Sequence, residues 1–185
     1  MKKVLVIGDG CKDVFQYGRC ERLSPEAPVP VLTPTKTISN GGMAMNVYHN
    51  LLALGVECDI ITDSGATKTR YVDEVSNQML LRIDENDSIE PLKFEDVYSI
   101  NFSQYSAVVI SDYNKGFLTE EVIRFISRQH KSVFMDTKKK IDFWALDVGF
   151  IKINDKEFEE NSDFLYKEYE GELIITKGKE GAMRW

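Results

Sequence analysis

Several short clusters in this chain set carboxylates, amines and glycines within a few positions of one another. Ser111-Asp112-Tyr113-Asn114-Lys115-Gly116 follows directly on an apolar run. An ammonium such as that of Lys115 meets a phosphate as a point charge, and a carboxylate such as that of Asp112 orients hydroxyls or a metal-bound water. In Asn40-Gly41-Gly42-Met43-Ala44-Met45-Asn46, two glycines precede a helical pattern. Glycine lets the backbone approach a ligand closely, and free N–H groups at a helix start favour oxygen-rich or anionic groups. Asp9 and Asp13 flank the exit of the first apolar run, where a carboxylate accepts hydroxyl donors well. Asp136 with Lys138, and Asn154 with Glu157, follow two later runs in the same way. Taken singly, each cluster reads equally well as a turn, a cap or a solvated loop. Their shared place at the ends of apolar runs sets them apart.

Those runs are the elements that must position the clusters. Residues 4–7, 107–110, 133–135, 150–153 and 173–175 are short, rich in β-branched residues and end abruptly in polar or glycine positions. Runs apolar on both faces read as buried parallel strands. Helices are expected over 43–54, with Gly55 as its stop, and over 119–130, with Thr119 as N-cap. A start near 94–98 and two short helices over 155–161 and 164–169 are also expected. Alternating strands and helices imply a doubly wound α/β sheet, whose ligands bind outside the carboxyl ends of the strands. Two segments break the alternation. Residues 29–38 are extended but carry Pro30 and Pro34, which confines them to an edge or a lid. Residues 70–75 and 78–84 read as a hairpin turning near Ser76-Asn77. Residues 85–87 read as an exposed crossing from this small sheet to the main body.

The bulk numbers exclude several classes. At 185 residues the chain is long enough for one domain. Its formal net charge of -7 argues against a nucleic-acid partner, which demands a basic face. Cys11, Cys20 and Cys58 form no paired spacing, so neither a disulfide framework nor a zinc pattern is expected. No stretch approaches the ~20 apolar residues of a membrane span, and a cytoplasmic location is expected. Gly8-Asp9-Gly10 lacks the third glycine of a dinucleotide fingerprint, because Asp13 stands there. There is no Walker A sequence, and His49 and His130 read as structural.

In order along the chain, these motifs resemble the ribokinase, or phosphofructokinase B, family of carbohydrate kinases. The pieces are Gly8-Asp9 with Asp13, the stretch 22–31 (Arg-Leu-Ser-Pro-Glu-Ala-Pro-Val-Pro-Val), and Gly41-Gly42 with Ala44 and Asn46. Lys68-Thr69-Arg70, residues 78–84, Ser111-Asp112-Tyr113 with Lys115-Gly116, and Asp136 with Lys138 follow. Asn154 with Glu157 and Thr176-Lys177-Gly178 with Gly181 complete the string. The Ser-Pro-Glu-Ala-Pro-Val-Pro-Val stretch is similar to the heptose-phosphate branch. The resemblance implies an α/β ribokinase-like domain over 1–185, with lid segments about 14–38 and 69–84. It implies that Asp13, Gly41, Gly42, Asn46, Lys68, Arg70 and Arg82 line a sugar-phosphate pocket. Asp112 and Lys115 would lie at its floor. Asp136, Lys138, Asn154, Glu157, Thr176, Lys177 and Gly178 would meet the nucleotide, with Glu157 near the metal. ATP, Mg2+ and a homodimer joined through the lid are likewise implied. The reaction would be phosphorylation of a heptose 7-phosphate at its anomeric oxygen, by positioning and charge neutralisation.

Two departures from the family pattern stand out. Members usually carry a further helix and strand between the equivalents of Ile61 and Lys68, where this chain has only 62–67. The family's Gly-Ala-Gly-Asp motif, whose Asp serves as base, occurs nowhere in the 185 residues. The expectation is therefore an incomplete domain with little turnover alone. The alternative is a non-catalytic protein that binds a sugar phosphate or dimerises through the lid.

Overall fold

The structure, a computed structural model, describes every residue except Met1, Ser64 and Asp87. Two sheets organise it. The main sheet has seven strands, namely β1 (Lys3–Gly8), β4 (Cys58–Thr62), β7 (Tyr105–Asp112), β8 (Val133–Thr137), β9 (Phe150–Asn154), β10 (Glu172–Thr176) and β11 (Ala182–Arg184). Their order is β11-β10-β9-β8-β7-β1-β4, and every pair is parallel except β10 with β11. The second sheet, with order β3-β2-β5-β6, contains β2 (Gly10–Leu23), β3 (Pro30–Met43), β5 (Ala66–Asp73) and β6 (Met79–Glu85).

The apolar runs explain the main sheet, and the chain reverses direction between β4 and β7. Right-handed crossovers therefore put α1 (Ala44–Ala53) on one face and α2 (Phe94–Tyr98), α3 (Glu120–Gln129) and α4 (Asp155–Lys167) on the other. Against the latter helices Val108, Ile110, Val133, Met135, Ile151, Ile153, Leu173 and Ile175 are all buried. On α3 the Thr119 hydroxyl caps Val122 N–H, as its position predicts, and Val122, Ile123 and Ile126 form the buried stripe.

Several expectations needed correction. The runs in β8, β9 and β10 are not buried on both faces. Their residues alternate strictly, and the side bearing Phe134, Phe150 and Ile174 is only half-buried. The two short helices expected over 155–161 and 164–169 are one helix, α4, ending at Lys167, and within it Asn161 donates to Glu157 C=O and accepts from Ile141 N–H. Strand β2 lies mostly within the expected lid segment 14–38 but starts earlier, at Gly10, and its alternating Cys, Asp, Phe and Tyr positions dilute the apolar signal. The small-sheet hairpin joins β5 to β6 through a turn at 74–78, where Asn77 takes φ 56. Of the expected crossing at 85–87, Glu85 ends β6, Asn86 takes φ 53, and Asp87 lies outside the described residues. After β4 only residues 63–65 intervene before β5 begins, and β4 is the outermost strand of its sheet.

Candidate active site

The small sheet presents a charged face. In an antiparallel or parallel ladder, register partners point to the same side. Asn40, Asp13, Lys68 and Asp84 form one such row, and Ile38, Phe15, Arg70 and Arg82 form the next row on that face. Arg70 lies 5.0 Å over the Phe15 ring and donates from Nη1 to Asp13 Oδ1 at 2.5 Å. Arg82 forks onto Asp84, with Nε 2.8 Å from Oδ1 and Nη2 2.9 Å from Oδ2. Gly42 closes the arrangement. A Cβ there would stand 2.2 Å from Asp13 Oδ2 and 2.6 Å from Cys11 Sγ, so only glycine leaves room for the carboxylate. The Cys11 thiol is pushed up by burial and by the nearby Asp13 charge. Gly41 packs under Met45, and Asn46 is exposed in the first turn of α1. Between Gly42 and that helix, Met43 adopts φ 54 and ψ -124, a conformation normally left to glycine.

A second cluster sits at the exits of β8 and β9. Lys152 pairs with Asp136 Oδ2 at 2.8 Å, and Lys138 lies 3.9 Å from Asp136 Oδ1. Lys138 also forms a close ion pair with Glu157. Asn154 and Glu157 make a reciprocal capping box at the start of α4, with distances of 2.8 Å and 2.9 Å. Burial pushes the Glu157 carboxyl up. The Lys138 hydrogen bond, the Asn154 N–H and the Lys138 and Lys152 charges outweigh it and hold the group below its usual range. Burial likewise opposes the charge of Lys138, but Glu157 and Asp136 raise it on balance. Asp136 Oδ1 is buried and accepts no hydrogen bond among the described residues. A cleft of about 460 Å³ opens here, lined by Lys138, Lys140, Asn154, Lys156 and Glu157.

Tyr113 joins the two clusters. Its ring lies 5.9 Å from Lys68 Nζ on the lid side. Burial raises its hydroxyl, and the charges of Asp136, Lys138 and Lys152 act on it from the other side. With Asp136 and Lys152 it also lines a smaller hollow beneath Val47 of α1. The sequence assigns Tyr113 no role of its own, and the loop geometry supplies one. Lys152 carried a readable signal as the lone charge inside an apolar run.

Not every expected residue joins these two clusters. Asp9 is fully buried, and its carboxylate accepts N–H groups from Tyr113 (2.5 Å), Lys115 (3.3 Å) and Phe117 (3.2 Å). It is a backbone anchor, not a hydroxyl acceptor. Asp112 is 1% exposed. Its carboxylate faces the α3 side, bonded to Thr137 Oγ1 at 2.5 Å and Lys139 Nζ at 2.6 Å. The floor position expected for Asp112 is corrected accordingly, because strand alternation turns it away from Ser111 and Asp136. Lys115 follows on the same loop, its N–H held by Asp9. Thr176 donates to Ile153 C=O at 3.3 Å. Gly178 makes the following turn with φ 55, and Lys177 lines a separate hollow with Phe158, Tyr166, Met183 and Trp185.

Comparison with known proteins bears on the fold and the family. No family model matches the chain. Solved structures that share its fold include the Giardia lamblia ribokinase, with TM-score 0.63 and 14% identity, covering 100% of this chain and 76% of that one. The Arabidopsis thaliana ribokinase complexed with ribose and ATP gives TM-score 0.60 at 11% identity, covering 100% and 74%. The fold is that of the ribokinase-like carbohydrate kinases. Among curated proteins, the chain is a homologue of the bifunctional protein HldE, a heptose kinase/adenylyltransferase. It is 34% identical to that of Helicobacter pylori (strain HPAG1) over 178 residues, 76% of this chain and 38% of the relative. With that of a Nitratiruptor species it shares 33% identity over 228 residues, 97% of this chain and 49% of the relative. The chain thus spans less than half the length of these relatives.

Proposed function

We propose that this chain forms the sugar-phosphate-binding part of an ATP-dependent carbohydrate kinase acting on a heptose 7-phosphate. The observation that carries the reading is Tyr113, set between the lid charges of Asp13, Lys68, Arg70 and Arg82 and the strand-exit charges of Asp136, Lys138 and Lys152. A phosphorylated polyol needs both guanidinium or ammonium groups for its phosphate and a carboxylate for its hydroxyls. Arg70 and Asp13 supply these side by side. The lysines at the exits of β8 and β9 suit the phosphates of ATP, whose transfer is catalysed mainly by positioning and neutralisation. Glu157 and the unsatisfied Asp136 Oδ1 fit a Mg2+ carried on the nucleotide, since Mg2+ takes one or two carboxylates plus phosphate oxygens. The ion would neutralise phosphate charge there.

In this reading, turnover needs a base supplied by the Gly-Ala-Gly-Asp motif, which the 185 residues do not contain. Thr176, Lys177 and Gly178 begin the nucleotide side. A homodimer forms through the small sheet, whose outer strand exposes Met79, Leu81 and Ile83. Calorimetry with heptose 7-phosphate and with Mg-ATP tests binding, and a coupled assay tests turnover. Submillimolar sugar-phosphate binding is the expected result, and no binding at millimolar concentration would sink the reading. A non-catalytic sugar-phosphate-binding protein is favoured instead if the sugar phosphate binds and Mg-ATP does not. The closed ion pair of Lys138 with Glu157 and the filled capping box support that second reading.

A further inference from the structure

The loop after β7 is strung between two buried carboxylates. Asp9, from β1, receives the N–H groups of Tyr113, Lys115 and Phe117. Asp112, at the loop's root, receives Asn114 N–H at 3.1 Å, and its own C=O accepts Lys138 N–H at 2.9 Å. Two ionised carboxylates this deep repel one another, and the Asp112 charge indeed raises Asp9. Asp112 needs a counter-ion, and the structure provides one. The Lys139 side chain is 11% exposed and its Nζ stands 2.6 Å from Asp112 Oδ1, while Lys139 N–H bonds Thr137 Oγ1 at 3.0 Å. Neighbouring lysines therefore diverge. Both line the cleft, but Lys138 pairs with Glu157 whereas Lys139 reaches the buried Asp112 beneath the loop.

We propose that Lys139 is a positioning residue. Its ammonium pairs with the buried Asp112 carboxylate, which in turn holds Asn114 N–H, and thereby fixes the 113–117 loop that sets Tyr113 between the two charge clusters. A lysine inside the run Lys138-Lys139-Lys140 reads as solvated from sequence alone. Its partner, 27 positions earlier, becomes visible only in three dimensions. Removing one member of a buried pair leaves an uncompensated charge, which is far costlier than replacing both. The charged and titratable groups around Asp112 are Lys139 from the β8 exit, Asp9 from β1, and Tyr113 and Lys115 on its own loop.

The test compares Lys139→Met, Lys139→Arg and the double variant Lys139→Met/Asp112→Asn. Amide hydrogen exchange of residues 113–117 is expected to quicken roughly tenfold or more in Lys139→Met and to return toward the parent rate in Lys139→Arg. Lys139→Met should also lower the melting temperature, because it leaves the buried Asp112 carboxylate without its partner, and the double variant should recover part of that loss. Unchanged exchange in Lys139→Met, or a double variant no more stable than Lys139→Met alone, would overturn the proposal by leaving the lysine stem as mere packing. The proposal borrows its crevice from the kinase reading, but both readouts need no ligand. If calorimetry of the parent chain with Mg-ATP and heptose 7-phosphate shows nothing, the kinase reading fails while the Lys139 assignment still stands or falls on exchange and melting.

Discussion

Arg70 donates to Asp13 across 57 positions of sequence, and the pair is braced on one side by the Phe15 ring and on the other by the missing side chain of Gly42. Both partners are about a quarter exposed, so the ion pair is accessible to a ligand and already oriented for it. Arg70→Ala should weaken heptose 7-phosphate binding by roughly tenfold or more, since a hydrogen bond to a charged group contributes about 1.5–3 kcal/mol. Calorimetry reads this directly. Equal affinity in the variant would remove Arg70 from the site.

Two glycines give opposite predictions. A Cβ at Gly42 meets the movable end of the Asp13 side chain, whereas one at Gly8 stands 2.0 Å from the backbone oxygen of Ser111. Gly42→Ala should therefore fold with little loss in melting temperature but bind sugar phosphate poorly. Gly8→Ala must push apart β1 and β7 and should be destabilised by several kcal/mol, on the order of 3 or more. Thermal melts of the two variants side by side decide the matter.

Asp9 should give a distinctive pH signature. Burial raises its carboxyl, the backbone N–H groups of Lys115, Tyr113 and Phe117 lower it, and burial prevails. A carboxyl raised in the folded state contributes its full share below the unfolded value of about 3.9, and that share declines as pH rises through the folded value. Comparing Asp9→Asn with the parent from pH 4 to 8, the parent should lose ground relative to the variant as pH increases. Parallel melting curves across that range would contradict the assignment.

Glu157 should behave in the opposite sense. It is held below its usual range, so its contribution is present above about pH 4.3 and is lost as pH falls through the depressed folded value. Lys138→Met removes the hydrogen bond and charge that depress it. Acid unfolding of that variant, followed by circular dichroism, should begin at a higher pH than in the parent chain.

Much of the scaffold could be read from the residues, because a parallel strand announces itself by short β-branched runs ending in glycine or polar positions. Runs 4–7, 107–110, 133–135, 150–153 and 173–175 became β1, β7, β8, β9 and β10. Thr119 capped α3 because a hydroxyl before an amphipathic run has little else to satisfy. Strand β2 was hidden because its two faces meet different surroundings, one bearing Asp13 and Phe15, the other Val14 and Gln16. The site was legible at the level of residue type and blurred at the level of direction. Ser111 and Asp112 are adjacent, yet strand alternation sends them to opposite faces, and no local pattern says which one enters the crevice. Ion partners such as Lys139 with Asp112 are set by the packing of separate crossovers, which spacing along the chain does not encode.

The two sheets are tightly joined. Only three positions separate the end of β4 from the start of β5, and Gly10, where β2 departs, lies so close that a Cβ there would stand 1.6 Å from Asp63 C=O. Two of the passages between the sheets, the one at Gly10 and the one that leads from β4 to β5, thus touch one another, while β3 runs straight into α1 as a further tie. A side chain placed at Gly10 would meet backbone just as one at Gly8 does, so the tight root of the small sheet depends on a glycine that no other residue can replace without loss of folding stability.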